Sequence, residues 1–121
     1  MSKVSDSPFC VGAHTATAAG AYQDEERVAA ALADLDSAPI EGGLRATLSM
    51  LGKLTSEGTL TADDIRTVLS AGVSHQQVED ALAVNFAFNT TVRLANAFAF
   101  DVLSQGGFEA GAKYLLKRGY R

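Results

Sequence analysis

The chain carries 121 residues, with ten basic and fourteen acidic side chains and a net charge of -4, and reads as one domain able to fold without a disulfide or a metal. No basic cluster is present to neutralise phosphates, no run approaches the roughly 18 apolar residues of a spanning helix, and Met1 to Cys10 lacks a cationic lead, so nucleic acid, membrane and targeting-segment readings are set aside. The single cysteine has no partner in the chain and suits a reducing compartment, so a cytoplasmic location is expected.

Alanine and leucine dominate, the two prolines are Pro8 and Pro39, and no window alternates β-branched or aromatic residues with polar ones. This composition predicts an all-α domain spanning residues 1–121, with about six helices and no linker or repeat. Ser7-Pro8 reads as a helix start, Ser7 capping and Pro8 at the first helical position, with Gly20 as the left-handed terminator. A second helix begins at Asp24-Glu25-Glu26, whose carboxylates suit a helix N-terminus, and ends before Ser37-Ala38-Pro39. Glu41 to Leu54 forms a third, with Leu44, Leu48 and Leu51 on one face and Ser56-Glu57-Gly58 closing it. Thr61 caps a short helix to Ala71-Gly72 that turns Ile65, Val68 and Leu69 inward.

Ser74-His75-Gln76-Gln77 is a capping box, and the run behind it contains no Pro or Gly as far as about Leu103. A helix of that length would span roughly 40 Å or more, so it either kinks or lays apolar surface against another subunit. Gln105-Gly106-Gly107 is expected to break the chain before a last helix, Phe108 to Lys117, and a short tail. Gly42-Gly43 and Gly106-Gly107 lack the lysine and spacing of a phosphate loop and read as hinges.

Few residues can carry chemistry. Cys10 and His14 lie four apart on the first helix, where thiol and imidazole can come within hydrogen-bond reach. A cysteine in a first turn is favoured as thiolate by the helix dipole and by a base that takes its proton; the competing reading is a buried, inert thiol beside a packing histidine. Ser7 would need an activating base to serve as nucleophile, and capping accounts for its place. His75 sits in a capping turn with no second cysteine to complete a zinc set, so no metal is expected. Asn85, Asn89, Asn96 and Arg93 draw a polar line along the long helix among Phe86, Phe88, Phe98 and Phe100, readable as an exposed face or as a network between helices or subunits.

The segment Ser7-Pro8-Phe9-Cys10-Val11-Gly12-Ala13-His14-Thr15 resembles the redox motif of the alkylhydroperoxidase D branch of the carboxymuconolactone decarboxylase superfamily. There two cysteines flank two residues, and a histidine follows three residues after the second; Cys10 and His14 fall on the second cysteine and the histidine. Leu44 to Thr55, Ala71-Gly72-Val73-Ser74, Glu79-Asp80-Ala81-Leu82, Phe88-Asn89, Arg93-Leu94-Ala95 and the ending Tyr114 to Arg121 are similar to peroxidase-related members, nearly end to end.

The resemblance implies an alkylhydroperoxidase D-like helical bundle that forms homo-oligomers. It also implies a peroxiredoxin-type oxidoreductase, a thiol peroxidase or disulfide reductase of antioxidant defence that acts on hydroperoxides without a cofactor. In active members the second cysteine attacks peroxide, the first resolves the sulfenic acid, and the histidine relays protons with an upstream glutamate. Here Ser7 stands at the first cysteine's position, so an external thiol or dithiol has to act as reductant. The glutamate would fall ahead of Met1, and the chain is expected to lack the family domain's N-terminal helices. Two alternatives accompany this reading. One is a catalytically degenerate member acting as a binding or structural oligomeric module, and the other is a carboxymuconolactone decarboxylase-type enzyme.

Overall fold

The computed structural model describes residues 1–119, and the tail residues Tyr120 and Arg121 lie outside the described residues. Among the described residues the chain forms six α-helices and no strand: α1 (Pro8–Tyr22), α2 (Glu25–Ala33), α3 (Gly42–Glu57), α4 (Ala62–Ser70), α5 (His75–Ala97) and α6 (Gln105–Arg118).

α5 joins two apolar clusters. At its N-terminal end Val78 is buried with Met50 and Leu51 of α3 and Val68 of α4, and Ala81, Leu82, Ile65 and Leu69 pack around them. Further along, Phe88, Val92 and Ala95 bury Cys10 of α1, with Phe9 against them. Burying side chains of this size contributes roughly 1.5–3 kcal/mol each, so the two clusters outweigh every surface interaction in the molecule. Met1 touches both clusters.

Two helices are capped reciprocally at their first turns. Thr61 and Asp64 form a reciprocal capping box on α4, and Ser74 and Gln77 form another on α5. Asp64 also accepts from the Lys53 ammonium of α3 at 2.8 Å through both oxygens. Lys53, then the Thr61 backbone N–H and hydroxyl, hold the Asp64 carboxyl down at about 2. Between α2 and α3 the Arg45 guanidinium donates to the carbonyls of Leu35, Ala38 and Ile40 and fastens the Pro39 turn over buried Ala38.

Four expected boundaries move. Gly20 does not end α1; Gln23 takes the left-handed conformation instead, at φ 53°. Neither glycine pair is a hinge. Gly42-Gly43 opens α3, and Gly106-Gly107 lies in the first turn of α6, capped by Ser104. Their lack of side chains admits neighbours, since a Cβ at Gly43 would lie 3.1 Å from Val73 and one at Gly107 3.1 Å from Leu103.

The fourth correction concerns α5, which stops at Ala97 rather than near Leu103. Phe100 N–H donates to the Ala95 carbonyl and Ala99 N–H to that of Asn96, and Ala99 has φ 49°. This is a Schellman terminator with alanine in the left-handed position that usually holds glycine. The reversal returns the Phe100 ring to Phe9, edge-on at 5.3 Å, and Phe9 meets Phe108 at 5.8 Å. Aromatic packing on α1 thus ends a helix that local sequence would extend.

α6 rests on α1. Gly12 faces Phe108 and Gly20 faces Leu116, an advance of eight residues on both helices, so the two run parallel. Gly12, Ala16 and Gly20 form a row of small residues at four-residue spacing, matched by Phe108, Ala112 and Leu116 on α6. A Cβ at Gly12 would overlap the Phe108 ring, whereas one at Gly111, on the exposed side of α6, meets nothing within 4 Å.

Gly12→Ala is therefore expected to destabilise the chain by roughly 1–3 kcal/mol, and Gly111→Ala to stabilise it by about 1 kcal/mol through helix propensity. Urea unfolding of the two variants checks this, and equal midpoints would refute the packing assigned to Gly12. Ala99→Gly should remove the left-handed penalty and add about 1 kcal/mol. Its melting temperature falling below that of the parent chain would contradict the terminator.

Candidate functional site

Ser7, Cys10 and His14 follow one another around the start of α1. Ser7 has the extended backbone of an N-cap and Pro8 follows at the first helical position, so the chain enters the helix as its sequence predicts. The Ser7 carbonyl accepts from Val11 N–H at 2.9 Å. Among the described residues, however, the expected side-chain cap is absent: Ser7 Oγ is buried and has no hydrogen-bond partner. A buried hydroxyl in that state costs about 1–3 kcal/mol, because it has surrendered water and gained nothing.

Cys10 is the third residue of α1 and is 2% exposed, enclosed by the cluster of Phe88, Val92 and Ala95. Its position within the first turn places the thiol near the positive end of the helix dipole. His14 lies one turn further on, with its imidazole against the edge of Phe88, ring centres 5.5 Å apart. The side chain reaches solvent, but the ring's partial burial, and then the positive amino terminus, lower its pKa below the usual histidine value. Burial likewise lowers the Met1 amino group. Shared helix and shared neighbour Phe88 bring Cys10 and His14 to one side of α5, yet no hydrogen bond joins the two side chains among the described residues.

The polar line on α5 divides. Asn85 is buried, its side-chain Oδ1 accepts from Thr55 Oγ1 at 3.3 Å, and its backbone carbonyl accepts from the Asn89 side-chain amide at 2.8 Å. Asn96 and Arg93 are exposed. His75 opens α5 behind the Ser74 cap, and among the described residues no group of three His, Cys, Asp or Glu side chains could hold a metal ion.

A groove that residue spacing did not disclose runs between α1, α2 and α6, with a volume of about 890 Å³. Val11, Ala19, Leu32 and Leu103 line its apolar part, and Gln23, Glu25, Glu109 and Lys113 its polar part. It lies along the α1–α6 seam, whereas Cys10 faces α5. The row of small residues on α1 was its only signal in the sequence.

No helix among the described residues is long and apolar enough to cross a membrane. Comparisons with protein-family models, with curated proteins and with solved structures found no match to this chain.

The lowered His14 pKa has a defined sign. Between its folded value and 6.5 the unfolded chain binds more protons than the folded one, so His14 contributes stability that is present above 6.5 and lost as pH falls through the folded value. Stability is thus expected to decline on acidification below about 6.5, and His14→Gln to flatten that decline. Urea midpoints for both chains from pH 5 to 7 give the comparison, and superimposable profiles would remove His14 from the account.

Proposed function

We propose that the chain belongs to the alkylhydroperoxidase D-like branch of the carboxymuconolactone decarboxylase superfamily, with the corresponding helical bundle, and acts as a thiol peroxidase at Cys10. The observation that carries the reading is the placement of Cys10 in the first turn of α1, one turn ahead of a histidine whose pKa is lowered. At pH 7 that histidine is a neutral base, able to take a thiol proton.

The chemistry balances without a cofactor. His14 accepts the Cys10 proton, the thiolate attacks the terminal oxygen of a hydroperoxide, the O–O bond breaks, and the alkoxide leaves with the proton. Cys10 becomes a sulfenic acid and the hydroperoxide an alcohol. With Ser7 in place of a resolving cysteine, an external thiol condenses with the sulfenic acid and releases water. A second thiol reduces that mixed disulfide, restoring Cys10 and leaving a disulfide of the two reductant molecules. Because Cys10 is buried under α5, peroxide gains access when the start of α1 opens, and local opening sets the rate.

The burial of Cys10 together with the unpaired Ser7 hydroxyl favours a second reading, a degenerate member that binds or scaffolds without redox chemistry. Peroxide separates the two. The first predicts one sulfenic acid per chain, trapped by dimedone and seen as a mass shift, with turnover of an alkyl hydroperoxide supported by a monothiol. Cys10→Ser should abolish both, and His14→Ala should lower the oxidation rate by about ten- to a hundred-fold. A folded chain whose Cys10 ignores peroxide would rule out the peroxidase and leave the second reading.

A further inference from the structure

The six helices fall into two groups. Among the described residues α2 and α6 approach no helix but α1, α3 and α4 gather on α5, and the two groups meet where α1 lies against α5. Their cores are unequal. Met50, Leu51, Val68 and Val78 form a buried cluster within α3, α4 and α5, and apart from Met1 that cluster draws on no residue outside this group and the turns that join its helices. In α1, α2 and α6 the buried residues are Cys10, Val28 and Ala112, one to a helix, and Cys10 is buried against α5 rather than within its own group. The groove of about 890 Å³ separates α2 from α6, so the two flanks of α1 gain no packing from each other. Helices of 15, 9 and 14 residues are marginal in water alone. Their docking on α5 also carries costs that opening relieves. The buried Ser7 hydroxyl, which has no partner, regains water, and Ala99 in the link to α6 leaves its left-handed backbone at φ 49°.

We infer that α1, α2 and α6 form a unit that opens and unravels while α3, α4 and α5 stay folded, and that Cys10 meets solvent in this opened state. The links on either side suit such a break. Residues 34–41 leave α2 in a turn that Arg45 fastens to α3, and residues 98–104, all exposed, lead from α5 to α6. Phe9 clasps the seam, its ring edge-on to Phe100 of that second link and to Phe108 of α6. Opening takes the cover from Phe88, Val92 and Ala95 but leaves the cluster of Met50, Leu51, Val68 and Val78 intact, so it requires less free energy than global unfolding. The inference names the structural unit behind access to Cys10 in the proposed peroxidase, yet it rests on the fold and the burial of Cys10 alone. A Cys10 that ignores peroxide would end that proposal and leave this one standing.

Labelling of Cys10 by excess iodoacetamide, followed by mass at rising urea, should be faster in water than global unfolding allows and should depend on urea less steeply than unfolding does. Gly12→Ala, whose Cβ overlaps the Phe108 ring, should speed labelling about ten-fold. Val68→Ala, which loosens the other core, should leave labelling in water unchanged while it speeds amide exchange in α4. Hydrogen exchange of the wild-type chain does not depend on either variant folding. Amides of α1, α2 and α6 should exchange through one opening, with the urea dependence of Cys10 labelling, ahead of those of α3 and α4. One free energy shared by all six helices, or labelling that Val68→Ala speeds as much as Gly12→Ala does, overturns the inference. Labelling indifferent to both urea and Gly12→Ala also overturns it, because only the first turn of α1 would then be fraying.

Discussion

α5 holds two apolar clusters on one helical stripe and so joins the two parts of the fold. α3 and α4 close over its first half and α1 over its second, and among the described residues the two clusters share this helix and Met1 alone. Helices of nine residues, such as α2 and α4, are marginal in water alone, so they exist because a docked face and a capped end support them. At the junction Asn85 sits buried between Leu82 and Phe88. Its bond to Thr55 ties α3 to α5 at the point where one cluster gives way to the other.

Small residues govern the second half of the molecule. The row on α1 lets α6 approach in parallel, with Phe108 above Gly12 and Leu116 above Gly20. Phe9 collects Phe100 and Phe108 into an edge-on trio, and the contact with Phe100 requires α5 to end in time for the chain to turn back. Ala99 accepts a left-handed backbone to make that turn. A local cost of about 1–2 kcal/mol is thereby exchanged for the edge-on contact of Phe100 with Phe9, worth about 0.5–1.5 kcal/mol beyond the area it covers.

At the start of α1 the demands of packing compete with those of the proposed chemistry. The proposed peroxidase would need the helix dipole and His14 to activate the Cys10 thiol, which the structure buries beneath Phe88, Val92 and Ala95. The unpartnered Ser7 hydroxyl lies in the same turn, a polar group buried at a cost where alanine would incur none. Thiol reactivity in this arrangement depends on how readily the first turn opens, a property of the contacts around it as much as of the thiol.

The sequence by itself determined the helical class, the number of helices, the capping boxes of Thr61 and Ser74, the inward set of α4, and the one-turn relation of Cys10 to His14. These are local properties, set by propensity, hydrogen bonding within a few residues and helical period. Tertiary structure decided the rest. Gly20, Gly42-Gly43 and Gly106-Gly107 read as punctuation because glycine is costly in a helix, yet they lie within α1, α3 and α6, and Gly20, Gly43 and Gly107 face close-packed neighbours. The end of α5, the burial of Cys10, the failure of Ser7 to cap and the groove between α1, α2 and α6 follow from which residues meet across long stretches of chain. No periodicity within a single helix encodes such meetings.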